Sequence, residues 1–316
     1  MKVLLTGAFG NIGSHTAPEL VRQGHVVRML SLDTPERRAR GRVLPRGCEI
    51  AWGDVCNAAD MARAVRGVEA VVHLAGVIPP VALEQPDRAR QVNVEGTRVL
   101  LAACEAQPTP PRFLFASTFD VHGRTLKKTP PRRVDDPVEA TDVYTAHKLE
   151  AEALLRASKL TWCIFRFTDV PILGIRDAHP IMFEIGLDNR IEALHGDDAG
   201  LAVANALSTP EVWGKTLFVG GGKSCQLTYR DYLTRLLAAM GIDMLPEEAF
   251  SQKEYATDWV DSDESQRLLR YQRHSFGDIA EAIAKSLGWK RRLVPVASPV
   301  VRAAMLRLSP YYKRRS

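Results

Sequence analysis

A glycine-rich turn near the start of the chain constrains the fold more than any other feature. A short apolar run ends at Thr6, three glycines follow at intervals of three residues, and an amphipathic stretch begins at once. Glycine lets the backbone turn tightly and approach a pyrophosphate, and the free amides at a helix start attract anions. Because a strand precedes the turn and a helix follows it, the pattern indicates a dinucleotide site. The candidate cofactor-binding residues in this turn are Gly7, Gly10, Asn11, Ile12 and Gly13.

The first half of the chain alternates apolar runs with stretches of helical periodicity. Strands are predicted at 2–5, 26–30, 49–52, 70–74, 113–116 and 162–165, and helices at 12–23, 58–65, 89–106 and 143–158. This alternation is typical of a parallel sheet covered by helices on both faces. We therefore predict an α/β fold with a Rossmann-type doubly wound parallel sheet.

The second half is predicted to be mostly helical. One more strand is expected at 216–219, with helices at 229–240, 261–269, 276–287 and 299–308, and residues 124–142 are expected to form a long surface loop. The predicted organisation is an NAD(P)-binding domain of residues 1–170 plus about 196–222. A smaller substrate-binding lobe would comprise residues 171–195 and 223–316.

The cysteines and the apolar runs of the sequence bear on where the protein is located in the cell. The five cysteines are scattered without a Cys-x-x-Cys pair or a nearby histidine cluster, so neither disulfides nor a metal site are predicted. No apolar run approaches the ~20 residues that span a bilayer, and the chain starts with a strand pattern rather than a charged leader. These features predict a cytoplasmic protein.

Charge gives little indication of a macromolecular partner. The formal charge of +5 comes largely from basic runs at 37–42, 127–133 and 313–315, and no aromatic residues are interleaved with them, so nucleic-acid binding is not expected. The apolar stretch 299–308 contains Arg302 and Arg307 and precedes the last run. Although a basic amphipathic helix can lie on a membrane, we expect its apolar face to pack against a domain or a twin subunit.

The end of the second predicted strand leaves the choice of cofactor open. Asp33 could hold the ribose hydroxyls of NAD, although it lies two residues beyond the expected position. Alternatively, Ser31 with Arg28, Arg37 or Arg38 could admit the 2′-phosphate of NADP, since a guanidinium pairs well with phosphate. The cofactor is therefore predicted as NAD or NADP.

Tyr144 and Lys148 form a candidate proton-transfer pair. They lie four residues apart, so on a helix they share one face. An ammonium group beside a phenol lowers its pKa, which would let Tyr144 exchange a proton near neutral pH.

Further motifs occur in a fixed order along the chain. They are Gly53-Asp54-Val55, His73-Leu74-Ala75-Gly76, Asn93-Val94-Glu95-Gly96-Thr97, the run from Phe115 to Gly123, Arg166, and His195-Gly196-Asp197-Asp198-Ala199. With the glycine turn and the Tyr-Lys pair, they make the whole chain resemble the extended short-chain dehydrogenase/reductases of the NAD-dependent epimerase/dehydratase family.

The resemblance implies roles for individual residues. Thr118 matches the catalytic Ser or Thr, which would hydrogen-bond the reacting oxygen, and Lys148 would also hold the nicotinamide ribose. Family members often dimerise through helices that correspond to 89–106 and 143–158, so a homodimer is expected. Cofactor contacts are implied for Asp54, Val55, Leu74, Ala75, Gly76, Asn93, Tyr144 and Lys148.

Several departures from the family pattern bear on the substrate. The family's dehydratases have Thr-Asp-Glu where this chain has Thr118-Phe119-Asp120, which argues against a dehydratase reaction. Asp169 replaces an Asn that contacts the nucleotide diphosphate in epimerases, and His122 replaces a Tyr. An aspartate would repel a pyrophosphate. The candidate substrate residues are Asp120, His122, Asp169 and Arg176.

Three functions are consistent with these observations. The first is an NAD(P)-dependent oxidoreductase that acts on a carbonyl or secondary alcohol of a small, partly apolar substrate. The second is a nucleotide-sugar 4-epimerase, with a dehydratase less favoured. A cofactor-sensing scaffold is a third, which the intact Thr118, Tyr144 and Lys148 argue against.

Overall fold

Seven parallel strands form the central sheet. The computed structural model describes residues 1–42, 44, 46–174 and 178–312. Strands in the described residues are β1 (Lys2–Thr6), β2 (Val26–Ser31), β3 (Cys48–Trp52), β4 (Ala70–His73), β5 (Arg112–Thr118), β6 (Trp162–Phe167), β7 (Arg190–Glu192), β8 (Thr216–Val219) and β9 (Gln226–Thr228). The large sheet has the order β3-β2-β1-β4-β5-β6-β8, and β7 pairs with β9 in a separate antiparallel ribbon. The predicted doubly wound parallel sheet is therefore confirmed.

The strands are apolar along their length because both faces of the sheet are covered. In β1, Val3 and Leu5 join one buried cluster while Leu4 joins the cluster on the other face. In β4, Val72 belongs to the first of these clusters and Val71 to the second. Since successive side chains of a strand point to opposite faces, a run without polar interruption indicates a sheet between two helical layers.

The helices follow the strands in alternation through the first half and dominate the second. They are α1 (Asn11–Arg22), α2 (Pro35–Gly41), α3 (Ala58–Ala64), α4 (Val81–Glu84), α5 (Pro86–Arg90), α6 (Thr97–Glu105), α7 (Val143–Ala157), α8 (Gly196–Ala206), α9 (Tyr229–Met240), α10 (Asp263–Leu269), α11 (Phe276–Ser286) and α12 (Val294–Leu306). All of residues 124–142 are described, and they contain no helix or strand, as predicted.

The predicted helix at 89–106 is wrong in one respect. It is interrupted by a wider π-helical turn at Gln91–Gly96, which separates α5 from α6. Within that turn the Asn93 amide donates to the Val77 carbonyl and accepts from the Val77 amide, at 2.8 and 2.7 Å. The wider turn thus places a side chain where it holds the backbone beyond β4.

Three helices were not predicted, and the start of a fourth was placed too late. α4 has only four residues, too few to show a helical period. α2 buries none of its side chains, so it has no apolar periodicity to detect. α8 is buried on nearly every side, which removes the polar face that periodicity requires. α12 begins at Val294 rather than at 299, with prolines at 295 and 299 that obscured its start.

A third apolar cluster lies in the carboxyl-terminal part of the chain. It contains Phe183 with side chains of α9 and α11, and Val294 and Val301 of α12 pack against it. This arrangement accommodates the predicted substrate-binding lobe, whose exact boundaries stay a prediction. The five cysteines are free thiols, three buried and two half-buried. Within the described part of the chain, no helix has the length and apolar character needed to cross a bilayer.

Candidate active site

The glycine turn is closely packed against the end of β4. Gly7 has a φ of +69°, a left-handed conformation that favours glycine, and a Cβ there would lie 2.7 Å from the Ala75 nitrogen. At Gly13 a Cβ would lie 2.2 Å from the Gly7 carbonyl oxygen. Neither position can carry a side chain, because backbone occupies the space, that of residues 74–75 at Gly7 and that of the turn itself at Gly13.

Gly10 differs from its two neighbours in the turn. A Cβ at Gly10 would meet only the Gly7 carbonyl oxygen, at 3.0 Å, so its remaining surroundings are open. Gly10 is also the N-cap residue of α1, and a glycine has no side chain with which to cap the first amides. An open approach and uncapped amides at the positive end of the helix dipole fit a diphosphate.

A chain of hydrogen bonds fixes the turn relative to β4. The Ala75 amide donates to the Thr6 hydroxyl, which lies 2.7 Å from Nδ1 of buried His73, and His73 Nε2 lies 3.0 Å from the Thr97 hydroxyl. Since the Thr97 hydroxyl donates to the Asn93 carbonyl, Nε2 must carry the proton and Nδ1 must accept from Thr6. Burial, with a smaller contribution from Lys148, lowers the pKa of His73 to about 3 and keeps this imidazole neutral.

The end of β4 also approaches the catalytic pair. A Cβ at Gly76 would lie 3.2 Å from Oδ1 of Asn93 and 3.7 Å from Nζ of Lys148. Leu74 donates its amide to the Thr6 carbonyl and continues the β1–β4 pairing. The structure therefore brings together the glycine turn, the residues 74–76, Asn93 and Lys148, as the family motifs implied.

The predicted adenosine side carries several arginines. The Arg38 guanidinium forms an ion pair with Asp33 and lowers the pKa of that carboxyl group. Arg37 and Arg40 lie over the Phe9 ring, at 5.6 and 4.9 Å from its centroid. Asp33 is thus already engaged by a cation, which was not foreseen from the sequence.

The remaining predicted cofactor residues lie at the carboxyl ends of β2 and β3. Ser31 is the last residue of β2 and is buried. Asp54 is exposed and accepts a hydrogen bond from the Cys56 amide, whereas Val55 is buried in the core. Their roles toward a cofactor stay predictions.

Thr118 and Tyr144 meet at the carboxyl end of β5. Thr118 is the last residue of that strand, and Tyr144 lies in the first turn of α7, which Asp142 and Thr145 cap reciprocally. The Thr118 side chain lies near enough to the Tyr144 phenol to lower its pKa, and both residues are buried. A strand end and a capped helix thereby hold two hydroxyl groups together.

Lys148 lies one helical turn after Tyr144 and is also buried. Its ammonium donates to the Ala116 carbonyl at 2.7 Å and lies 4.9 Å from the Phe115 ring centroid and 5.9 Å from that of Tyr144. Burial lowers the pKa of Lys148 to about 8, an effect that Glu152 partly opposes. The lysine therefore carries its charge at neutral pH and loses it above about pH 8.

Glu152 is a supporting residue that sequence reasoning missed. It lies one turn beyond Lys148, is fully buried, accepts from the Ser117 hydroxyl at 2.6 Å, and forms a two-point ion pair with Arg166. The spacing Tyr-x-x-x-Lys-x-x-x-Glu places all three on one helix face and could have identified it.

The predicted lowering of the Tyr144 pKa is wrong for this geometry. Burial raises the pKa of Tyr144 well above its usual value, Asp120 raises it further, and only the Thr118 hydrogen bond opposes them. The ammonium of Lys148 is occupied by the Ala116 carbonyl rather than by the phenol. The phenol therefore keeps its proton at neutral pH.

The carboxylates of Asp120 and Asp142 both lie near enough to the phenol to raise its pKa. The pKa of Asp120 is raised to about 7, chiefly by burial and then by the charges of Asp142 and Asp169, despite a hydrogen bond with Thr118. Asp169 follows β6 and accepts from the Tyr232 hydroxyl at 2.8 Å. Of the predicted substrate residues, Asp120 is thus brought to Tyr144, and Asp169 lies near enough to Asp120 to raise its pKa.

Of the other two predicted substrate residues, His122 is not placed there. His122 is buried, stacks on Phe119, and accepts at Nε2 from Arg166 at 2.9 Å. Burial and Arg166 lower its pKa to about 4, which fits a structural rather than a catalytic histidine. Arg176 lies outside the described residues.

A histidine cluster lies at the start of α8. His195, Asp197 and His274 have potential ligand atoms within 4.8 Å of one another. His195 Nδ1 accepts from the Asp197 amide at 3.1 Å, and His274 Nδ1 lies 2.7 Å from Asp198. Internal hydrogen bonds already occupy one nitrogen of each ring, and this cluster was not predicted from the sequence.

Comparison with known proteins agrees with this geometry. A family model described as the NAD-dependent epimerase/dehydratase family matches residues 3–170, more than half of the chain. The chain is 33% identical over 169 residues to a UDP-glucose 4-epimerase of Bacillus subtilis, covering 49% of this chain and 47% of that enzyme. It is 30% identical over 157 residues to a 3-beta-hydroxysteroid dehydrogenase of Mycolicibacterium neoaurum, covering 48% and 41%. The match spans less than half the length of each of these relatives.

Solved structures extend the similarity in fold to nearly the whole chain. A dTDP-glucose 4,6-dehydratase from Streptomyces venezuelae with NAD bound superposes with a TM-score of 0.77 at 24% identity, covering 95% of this chain and 100% of that one. At this level of identity the likeness concerns the fold alone.

Proposed function

The chain belongs to the NAD-dependent epimerase/dehydratase family, and from this premise we propose that it is an oxidoreductase that reduces a carbonyl group of a small, partly apolar substrate without a diphosphate. The observation that carries the proposal is the buried pair of Thr118 and Tyr144 beside Asp120 and Asp142, with Asp169 acting on Asp120.

NAD is the proposed cofactor. Gly7, Gly10 and Gly13 with the start of α1 would hold its diphosphate, and Lys148 with the residues 74–76 would lie beside its nicotinamide end. When bound, it would supply a ring that gives or accepts a hydride. NADP should be tested beside NAD. Arg37 and Arg40 lie over Phe9 and could pair with a 2′-phosphate, and Arg38 already forms an ion pair with Asp33, the residue expected to hold the ribose of NAD.

The protein's own part in the reaction is a proton transfer. Tyr144 keeps its proton because its pKa is raised, so it is suited to protonate the oxygen of a carbonyl group as that carbon is reduced. Thr118 orients the phenol and can donate a second hydrogen bond to the same oxygen. The buried Lys148 ammonium, 5.9 Å from the centroid of the Tyr144 ring, would place positive charge near the phenolate that remains.

The acidic residues argue for a substrate without phosphate groups. Asp169 stands where the family's epimerases have an Asn, and Asp120 and Asp142 add negative charge on the same side. A diphosphate in this site would be repelled by these carboxylates, and the repulsion would be strong because charges interact more strongly where water is partly excluded. An uncharged carbonyl compound meets no such repulsion.

A nucleotide-sugar 4-epimerase is the second candidate. The similarity to the Bacillus subtilis enzyme favours it, although that match is confined to about half of each chain. An epimerase returns the hydride to the same substrate, so it consumes no NADH.

One experiment separates the two functions. The purified protein is analysed by mass spectrometry for copurified nucleotide, and NADH and NADPH oxidation are then followed with a panel of ketones and UDP-sugars. We expect stoichiometric NADH consumption with a ketone, which is lost in Tyr144→Phe. Tightly held NAD with UDP-sugar interconversion and no net NADH consumption would establish the epimerase instead.

The remaining expectations also stay proposals. We propose a homodimer formed through residues 89–106 and 143–158, and a cytoplasmic location.

A further inference from the structure

α12 is docked on the carboxyl-terminal lobe by one side only. Val294, Val301 and Met305 pack against the cluster around Phe183, and the Arg302 guanidinium donates to the Met244 carbonyl at 2.8 Å. These contacts fix the helix on the protein surface. Its other side takes no part in them.

That other side is apolar and exposed. Trp289, Leu293, Val296 and Val300 are exposed by 73%, 54%, 84% and 74%. Spacings of four, three and four residues place them along one side of the helix and the turn that leads into it. Among the described large hydrophobic residues, Val296, Val300 and Trp289 are the three most exposed. We refer to these four side chains as the outer stripe.

The surrounding sequence is strongly basic. Residues 282–316 contain nine Lys and Arg and no Asp or Glu, whereas the whole chain carries a formal charge of +5. Residues 1–281 therefore carry a net charge of −4. Lys290, Arg291 and Arg292 are exposed and lie between the first two residues of the outer stripe, and Arg291 forms an ion pair with Glu281 at 3.2 Å.

We propose that the outer stripe and its flanking cations dock the protein on an anionic phospholipid membrane. Exposed apolar side chains on a basic amphipathic helix insert shallowly among lipid headgroups, a tryptophan favours the interface, and cations near the surface are attracted to anionic lipids. A second copy is a poorer occupant, because pairing two outer stripes would bring two strongly cationic segments together. The sequence favoured packing of this helix against a domain or a twin subunit, and the contacts with the lobe account only for its inner side.

The test is vesicle cosedimentation of the full chain. Vesicles of phosphatidylcholine alone are compared with vesicles containing about one-third phosphatidylserine, at low and high salt. We expect binding to the anionic vesicles that weakens as salt rises. The triple variant Trp289→Ser, Val296→Ser, Val300→Ser is expected to bind at least about tenfold more weakly.

Matched variants separate apolar from electrostatic contributions. Lys290→Gln, Arg291→Gln and Arg292→Gln together should weaken binding by about fivefold for each cation removed. Val138→Ser is the control, because it removes a large exposed apolar side chain elsewhere (43% exposed) and should leave binding unchanged. Thermal melting verifies that each variant is folded, since the substituted side chains are exposed.

Three results would overturn the proposal. They are failure of the wild-type chain to bind anionic vesicles, binding by the triple variant equal to that of the wild type, and a concentration-dependent dimer that the triple variant abolishes while no vesicle binding occurs. The last would assign the stripe to a second copy. None of these outcomes bears on ketone reduction, which is measured separately.

Discussion

Different interactions shape the two sides of the site: close packing and hydrogen bonds on the cofactor side, and charge on the substrate side. On the cofactor side, backbone atoms occupy the space around Gly7 and Gly13, and the His73 hydrogen-bond chain pairs each polar group with a protein partner. On the substrate side, Asp142 and Asp169 act on Asp120 through charge, and Asp120 and Asp142 act on Tyr144. The first arrangement fixes geometry and tolerates little change, whereas the second sets protonation and can be altered one residue at a time.

The sharpest test of the substrate side is Tyr144→Phe. Removing the proton donor should lower turnover by about 10²- to 10⁴-fold, while NAD affinity stays within about twofold of the wild type. Steady-state kinetics and calorimetry measure the two effects. Tyr229→Phe is the control, because it removes the same atom in the lobe, where the hydroxyl donates to the Met182 carbonyl. Unchanged turnover in Tyr144→Phe would remove the phenol from the reaction.

Substitutions at two glycines test the cofactor side, one expected to lower stability and the other to weaken NAD binding. Gly13→Ala should lower the free energy of unfolding by about 3 kcal/mol, because its Cβ meets backbone that cannot move aside. Gly10→Val should keep the fold and weaken NAD binding by about 100-fold, because its surroundings are open until a ligand approaches. Thermal melting and calorimetry distinguish them. Equal NAD affinity in Gly10→Val and wild type would rule out the diphosphate position.

Asp120 offers a stability test with a defined sign. Its pKa is raised from 3.8 to about 7, so the folded protein holds this proton more tightly than the unfolded chain does. This contribution to stability is full below about pH 4 and is lost as the pH rises through 7. Asp120→Asn should therefore flatten the pH dependence and raise the free energy of unfolding at pH 8 by about 1–2 kcal/mol.

Denaturant unfolding at pH 4 and pH 8 measures the effect. The pKa of Glu192 is also raised to about 7, so the stability of Asp120→Asn should still depend on pH, but less steeply than that of the wild type. A variant as pH-dependent as the wild type would show that Asp120 is not the group that titrates.

The smallest expected effect is that of Asp169→Asn. Replacing the acid by the residue usual in epimerases should improve the affinity for UDP by about fivefold, since one partly exposed charge is removed. Inhibition of ketone reduction by UDP measures it. No change would mean that the acids near Tyr144 do not exclude diphosphates.

The same contrast explains what could be predicted from the sequence. The glycine turn, the strands and the Tyr144–Lys148 spacing depend on local backbone requirements, and the structure brings these residues together as expected. The raised Tyr144 pKa depends on burial and on Asp120, which reaches the phenol only through the tertiary fold. The ion pair of Asp33 with Arg38 and the exposed side of α12 likewise depend on which neighbours the fold supplies.

The hydrogen-bond chain through His73 has a consequence for spectroscopy. Each donor in it points the same way, from the Ala75 amide to the Asn93 carbonyl, so a single imidazole tautomer is compatible with the whole series. The two ring nitrogens should therefore give well-separated ¹⁵N resonances that do not move between pH 5 and 9. A ligand that displaces Ala75 would shift them, which makes His73 a built-in reporter of occupancy.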